Sequence, residues 1–282
     1  MIGTIRKLKR FFPAPSGRAV ILSLDHGAYE GMLAGITHMP ELLEHIRTRN
    51  VQGVMLNKGY ARAHALSLAT ELPLVVQLSA GTRHGLPAWN KALVCSIPEA
   101  LRLGADAVAI QVNIGNELED RMLADLGAVT DEAHQHGLPV LAVIYARGDR
   151  IVKELDPSLI GHCIRLGGEL GADMVSVPYS GDRASFTRAV ESCPVPVLVA
   201  GGPGQPNFDA FLSMVAEVLE CGAAGVSIGR NVFQQERPEE ALDKLLALVH
   251  GAPQQAGSAA DNAQNTSGDT NSAQEPPARH PG

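Results

Sequence analysis

Three features of the sequence predict an eight-stranded (β/α)8 TIM barrel, an α/β fold. Short, continuous apolar runs alternate strictly with longer amphipathic segments from residue 19 to residue 250. The runs lack a polar alternate, which means burial on both faces and a parallel sheet. Eight such units in about 250 residues match the size of this barrel. A doubly wound sheet would carry its glycine-rich phosphate loop after the first strand; here Asp25-His26-Gly27 stands there instead.

The elements are expected in the following order. An amphipathic lead-in covers Ile5–Phe12, and the first strand, Ala19–Leu24, runs into Asp25-His26-Gly27. A helix over Met39–Arg49 precedes the second strand, Gly53–Leu56, which ends in Asn57-Lys58-Gly59. The helix Tyr60–Thr70 and the strand Leu74–Leu78 lead to Ser79-Ala80-Gly81 and a polar loop through Lys91. The fourth unit is the helix Ile97–Leu103 with the strand Ala107–Val112. The helix Asn116–His136, stopped by Gly137, precedes Pro139–Ile144 and Tyr145-Ala146-Arg147. The helix Pro157–Leu170 then precedes Asp173–Val177 and Pro178-Tyr179-Ser180. The last two strands, Pro196–Ala200 and Gly225–Ile228, each stop at glycine: Gly201-Gly202 and Gly229-Arg230. Helices over Ala184–Glu191, Phe208–Glu220 and Pro238–Val249 complete the alternation, with a short helical turn starting near Asn231. The barrel domain is expected over residues 1–250. The remainder, 251–282, is polar and without hydrophobic periodicity, and is expected to be a disordered tail.

Composition narrows the function. The 282 residues are 45% hydrophobic and carry a formal net charge of −7, which argues against a nucleic-acid surface. The basic cluster Arg6-Lys7-Leu8-Lys9-Arg10 reads as the solvated face of the leading helix. There is no signal-peptide-like or membrane-spanning apolar run, and Cys95, Cys163, Cys193 and Cys221 lack metal-binding spacing. A cytoplasmic protein with reduced thiols is expected.

In a barrel of this kind the C-terminal strand ends converge on one mouth. That mouth would gather Asp25, His26, Asn57, Lys58, Gln77, Ser79, Gln111, Asn113, Tyr145, Arg147, Ser176 and Tyr179. Glycines after strands seven and eight leave backbone N–H groups uncovered. With Arg230 beside them, Gly201, Gly202 and Gly229 read as a phosphate cup. Asp25 is a candidate general base or hydroxyl anchor, and Tyr145 a candidate acid/base at a developing alkoxide. Because neighbouring strand residues point opposite ways, Asp25 is expected inward, with His26 in support. The combination suits a small, polar, phosphorylated substrate.

The segments SLDHG, GADAVAIQVNIGNE, LPVLAVIYARG, GADMVSVPYSGD, PVPVLVAGGP and AGVSIGRNVFQ resemble, in order and spacing, the class I aldolases of the archaeal fructose-bisphosphate aldolase type. The 2-amino-3,7-dideoxy-D-threo-hept-6-ulosonate synthases and the enzyme joining aspartate semialdehyde to dihydroxyacetone phosphate belong to the same resemblance. It covers nearly all of residues 1–250. It implies an aldol or retro-aldol lyase/transferase acting on a phosphorylated ketose or triose, without metal or organic cofactor, in a homo-oligomer. The family's acidic residue, the histidine after it and its tyrosine fall on Asp25, His26 and Tyr145. Its phosphate glycines fall on Gly201, Gly202 and Gly229, beside Arg230.

The resemblance also implies an imine-forming lysine on strand six, and there this chain departs: Ser176 stands at that position. A hydroxyl cannot form an iminium. Three accounts stay open on sequence grounds. Another lysine takes over, with Lys58, Lys91 and Lys153 at or after strand ends and Lys58 best placed. Alternatively Tyr145, Asp25 and Lys58 stabilise an enolate without an imine, in aldol, isomerase or related chemistry. Or the barrel binds a phosphosugar and does not turn it over.

Overall fold

The computed structural model describes residues 2–68, 72–203 and 207–251. The expected tail therefore lies outside the described residues, apart from Gly251. Eight parallel strands close into a barrel: β1 (Ala19–Ser23), β2 (Gly53–Asn57), β3 (Leu74–Gln77), β4 (Ala107–Ile114), β5 (Val140–Ala146), β6 (Met174–Pro178), β7 (Val197–Ala200) and β8 (Gly225–Ile228). Each strand pairs with its sequence neighbours, and β1 closes on β8 with Ala19 opposite Gly225 and Leu22 opposite Ile228. The expected TIM barrel is the observed fold.

Strand side chains divide by parity, as a pleated backbone requires. One set, including Val20, Leu22, Val54, Leu56, Val76 and Val108, packs outward under the helices. The alternate set, Ala19, Ile21, Met55, Val75, Ala107, Ala109, Leu141, Val143, Met174 and Leu198, fills the barrel interior. Phe11, at the end of the leading helix Ile2–Phe11, is fully buried in that inner cluster. Its ring lies so close to Gly53 that a Cβ there would stand 3.0 Å from Cε1. The N-terminal helix thus closes the lower end of the barrel with an aromatic plug.

The lower rim is tied by a repeated Gly-Ala-Asp turn. In Gly104-Ala105-Asp106 and Gly171-Ala172-Asp173 the glycine is left-handed, with φ of 82° and 88°. The Asp106 carboxylate accepts from the Leu74 amide at 3.0 Å, and that of Asp173 from Val140 at 2.9 Å. Each aspartate thereby satisfies the first amide of the preceding strand, which would otherwise be a buried orphan. Side-chain caps start several outer helices, including Asp156 before Pro157–Glu169 and Asn207 before Phe208–Glu220.

Two departures from the expected elements matter for function. The segment after β2 is broken into Lys58–Ala63 and Ala65–Leu68, with its first turn starting at Lys58 itself. The loop after β3 contains a small antiparallel hairpin, Ser79–Ala80 with Ala92–Leu93. The pairing carries the chain back over the barrel mouth.

Barrel closure depends on one glycine. Gly225 has φ of 134°, and a Cβ on it would sit 2.0 Å from the Ala19 carbonyl oxygen across the β1–β8 seam. Gly225→Ala is expected to cost about 3 kcal/mol through backbone strain and overpacking. The melting temperature should then fall by roughly 6–12 °C, as read by circular dichroism.

Candidate active site

The inward set changes character along the barrel axis. Below it is apolar; at the upper end Ser23, Asn57, Gln77, Gln111, Tyr145, Ser176 and Ser227 line a cavity of about 290 Å³. Asp25, His26, Tyr29, Glu30, Trp89, Lys91, Arg147, Gly201, Gly202, Gly229 and Arg230 complete its walls. Its size suits a phosphorylated small molecule.

Asp25 is positioned by its neighbours. Gln77 Nε2 donates to its Oδ2 at 3.3 Å, and Asn57 Nδ2 donates to its backbone carbonyl at 2.7 Å. Because β1 ends at Ser23, the strict strand alternation stops before Asp25. Both Asp25 and His26 consequently reach the cavity, His26 from the residue preceding the short helix Gly27–Glu30. His26 meets Phe233 edge-on with ring centroids 5.4 Å apart. Burial lowers its pKa, against the opposing pull of Asp25, so the ring is held toward its neutral form. Its Nδ1 is buried without a hydrogen-bond partner.

On the facing wall, burial raises the pKa of the Tyr145 hydroxyl, partly offset by Arg147. The Arg147 guanidinium lies 4.2 Å from the Tyr145 ring centroid and 4.8 Å from that of Trp89, while its Nε bonds Glu154 at 2.8 Å. Ser176, on β6, is 1% exposed, and its Oγ has no hydrogen-bond partner.

The glycine loops meet at one side of the cavity. Asn231 Nδ2 donates to the Gly201 carbonyl at 2.6 Å and so ties the loop after β7 to the one after β8. At Gly229 a Cβ would fall 2.2 Å from the Ser23 carbonyl and 2.7 Å from His26 Cε1, so only glycine fits. Gly202 is left-handed, with φ of 68° and open space where a Cβ would be. No amide of Gly201, Gly202 or Gly229 donates a hydrogen bond to another described residue. Arg230 pairs with Glu30 at 3.1 Å, and its Nε is buried without a partner.

The structure brings together Asp25, His26, Tyr145, Ser176, Gly201, Gly202, Gly229 and Arg230. It does not bring Lys58 to them. Asn57 takes the inward position at the end of β2, so Lys58 leaves on the other side, where its Nζ pairs with Glu99 at 3.1 Å. Tyr179, beside Pro178 at the end of β6, is likewise outside: its hydroxyl donates to Glu217 at 2.7 Å and its ring packs edge-on against Phe186. Lys153 is exposed.

Sequence reasoning missed Tyr29 and Glu30, in a helix of a single turn, and Trp89, in a loop, none of which carries a periodic signal. Trp89 is held with φ of 65°, unusual for a bulky residue. Asn113 Nδ2 donates to its carbonyl at 2.5 Å, Asn116 bonds the Ala88 carbonyl, and Tyr29 stacks on its ring with centroids 5.6 Å apart. Among the described residues no group of three or more His, Cys, Asp and Glu could hold a metal ion, and no helix is long and apolar enough to cross a membrane.

Trp89 is the only tryptophan of the chain, so it reports on the cavity directly. Titration with dihydroxyacetone phosphate is expected to change its emission saturably. An unchanged spectrum at ligand concentrations that raise the melting temperature would place the ligand elsewhere.

Comparison with known proteins agrees with this geometry. The chain is 37% identical to the 2-amino-4,5-dihydroxy-6-oxo-7-(phosphonooxy)heptanoate synthase of Streptomyces griseus over 246 residues, 87% of this chain and 90% of that protein. It is 35% identical to 2-amino-3,7-dideoxy-D-threo-hept-6-ulosonate synthase 1 of Archaeoglobus fulgidus over 251 residues, 89% of this chain and 92% of that one. A solved archaeal fructose-1,6-bisphosphate aldolase, with its catalytic Lys covalently bound to the carbinolamine intermediate of the substrate, superposes with a TM-score of 0.80. It shares 31% identity, over 88% of this chain and 100% of that one. The profile of the DeoC/LacD family aldolases matches residues 19–235; the chain belongs to that family and is an aldolase-type enzyme.

Proposed function

We propose that the chain joins dihydroxyacetone phosphate, as carbon nucleophile, to aspartate semialdehyde in a reversible aldol addition. The observation that carries this reading is a single cavity with two chemically distinct ends. Three glycine amides without partners among the described residues and Arg230 line one end; Asp25, Tyr145 and Ser176 line the rest. The choice of reactants follows from the product named for the Streptomyces relative. Cutting its C4–C5 bond leaves a three-carbon phosphorylated ketone and a four-carbon amino-acid aldehyde.

The phosphate dianion is received by the amides of Gly201, Gly202 and Gly229 and by the Arg230 guanidinium, which gives charge-assisted hydrogen bonds. The donor then extends across the mouth toward β5 and β6. The Ser176 hydroxyl, buried and unpaired, donates to the donor's carbonyl oxygen. Asp25, held by Gln77 and Asn57, anchors the donor hydroxyl and takes the proton from the adjacent carbon. His26, kept neutral by burial, stands beside it as a supporting hydrogen-bonding group. Tyr145 remains protonated at neutral pH and delivers its proton to the alkoxide that forms on the acceptor aldehyde. All four cysteines are free thiols, three of them buried, which fits a reducing compartment such as the cytoplasm.

Two variants separate binding from chemistry. Arg230→Ala is expected to weaken dihydroxyacetone phosphate binding about 10–100-fold, the loss of one charge-assisted contact, measured by calorimetry. Tyr145→Phe should lower turnover by about 10²–10⁴-fold while leaving that affinity within a few-fold of wild type. Coupled-assay turnover of Tyr145→Phe equal to wild type would remove Tyr145 from the reaction.

A further inference from the structure

We propose that Lys91, carried over the barrel mouth by the loop after β3, supplies the amine that forms an imine with the ketone donor. The inference rests on the aldol reading above and names a catalytic residue for it. Among the described residues Lys91 is the lysine that lines the cavity, and it is 8% exposed. The other candidates are spent elsewhere: Lys58 on Glu99, Lys153 in solvent.

The backbone at Lys91 is tied on both sides. The next residue, Ala92, pairs with Ala80 in the hairpin that continues β3, and Arg121 donates to the Lys91 carbonyl at 2.8 Å. The same arginine bonds the Asn90 side chain. From this anchored base the side chain runs into the cavity, where Nζ lies 4.6 Å from the Tyr29 ring centroid. No hydrogen bond or ion pair to a described residue engages that nitrogen. Asp25 is the opposite charge that acts on it and Arg147 the like charge. Burial pushes the Lys91 amine below its ordinary pKa, toward the neutral nucleophile that carbonyl addition needs. Ser176 lines the same cavity and, as an alcohol, leaves the imine to be formed by an amine from another element.

The chemistry balances without an added reagent. The neutral amine attacks the donor carbonyl carbon, the π pair moves to oxygen, and one amine proton passes to that oxygen, giving a carbinolamine. Tyr145 protonates the hydroxyl, which leaves as water while the nitrogen lone pair forms the iminium. Asp25 removes the proton from the neighbouring carbon, and the C–H pair becomes the enamine. Tyr145 regains a proton from solvent; the enamine carbon then attacks the acceptor aldehyde, the nitrogen lone pair re-forms the iminium, and Tyr145 protonates the aldehyde oxygen. One water then hydrolyses the product iminium and returns the free amine, so the water released earlier is consumed. Asp25 and Tyr145 exchange protons with solvent and end the cycle as they began.

The test uses the full chain with dihydroxyacetone phosphate and sodium borohydride, followed by intact-mass measurement and peptide mapping. The expected result is one reduced triose phosphate adduct, on the peptide bearing Lys91. Lys91→Arg, which keeps the charge but cannot form the imine, should lose the adduct and lower turnover by roughly 10³-fold. Circular dichroism and the Trp89 titration check that this variant folds and binds. Turnover without an adduct on Lys91, or wild-type turnover in Lys91→Arg, overturns the assignment and leaves the aldol reading standing. An adduct on a different lysine also overturns it. Failure of the wild-type chain both to bind dihydroxyacetone phosphate and to turn it over removes the aldol reading together with this one.

Discussion

Everything in this molecule depends on the two-residue period of eight parallel strands closed on themselves. Closure leaves no edge, so each strand has one row of side chains facing the helices and one facing the barrel axis. The inner row is apolar up to Met55, Val75, Ala109, Val143 and Met174, and one step higher becomes Asn57, Gln77, Gln111, Tyr145 and Ser176. Polar groups in such a place cost free energy unless paired. Most are paired: Ser23 with Ser227 at 3.1 Å, Gln111 with Asn113 at 3.0 Å, Gln77 with Asp25. Ser176 Oγ, His26 Nδ1 and Arg230 Nε are buried without a hydrogen-bond partner, and all three residues line the cavity.

The loops above this layer divide the work. Those after β7 and β8 bring Gly201, Gly202 and Gly229 to the cavity wall, and Asn231 ties Gly201 to the loop after β8. Main-chain donors held this way need no reorganisation when charge arrives. The loop after β3 works in the opposite manner. It is long, it carries bulky side chains, and it is pinned from below by Asn113 and Asn116 and from the side by Arg121. The result, with Tyr29 from the helix after β1, is a wall of Trp89, Tyr29 and Lys91 at the cavity.

That arrangement bears on the departure at Ser176. In the solved archaeal relative the covalent link to substrate is made by a lysine. Here β6 offers a hydroxyl to the same space, and the buried amine stands on the loop that covers it. A site can keep its proton-transfer groups and phosphate cup while its amine enters from another element. What the chemistry demands is the position of the nitrogen and its low-dielectric surroundings, not the strand that bears it.

The sequence by itself determined the barrel, because eight continuous apolar runs at regular spacing have few other ways to bury both faces. It also placed the glycine loops after β7 and β8 and the residues Asp25 and Tyr145 at one cavity, since glycine after a strand and polar residues at strand ends are local signals. Two assignments at the mouth went wrong for one reason: Lys58 and Tyr179 each follow an inward residue and so face outward. That parity was present in the sequence, but it needs the strand ends located to a single residue. Trp89, Tyr29 and the place of Lys91 were decided only in the folded chain. Trp89 and Lys91 lie on irregular backbone held by Asn113, Asn116 and Arg121 through contacts that span 24 to 30 positions along the chain, and no local periodicity encodes a contact of that kind.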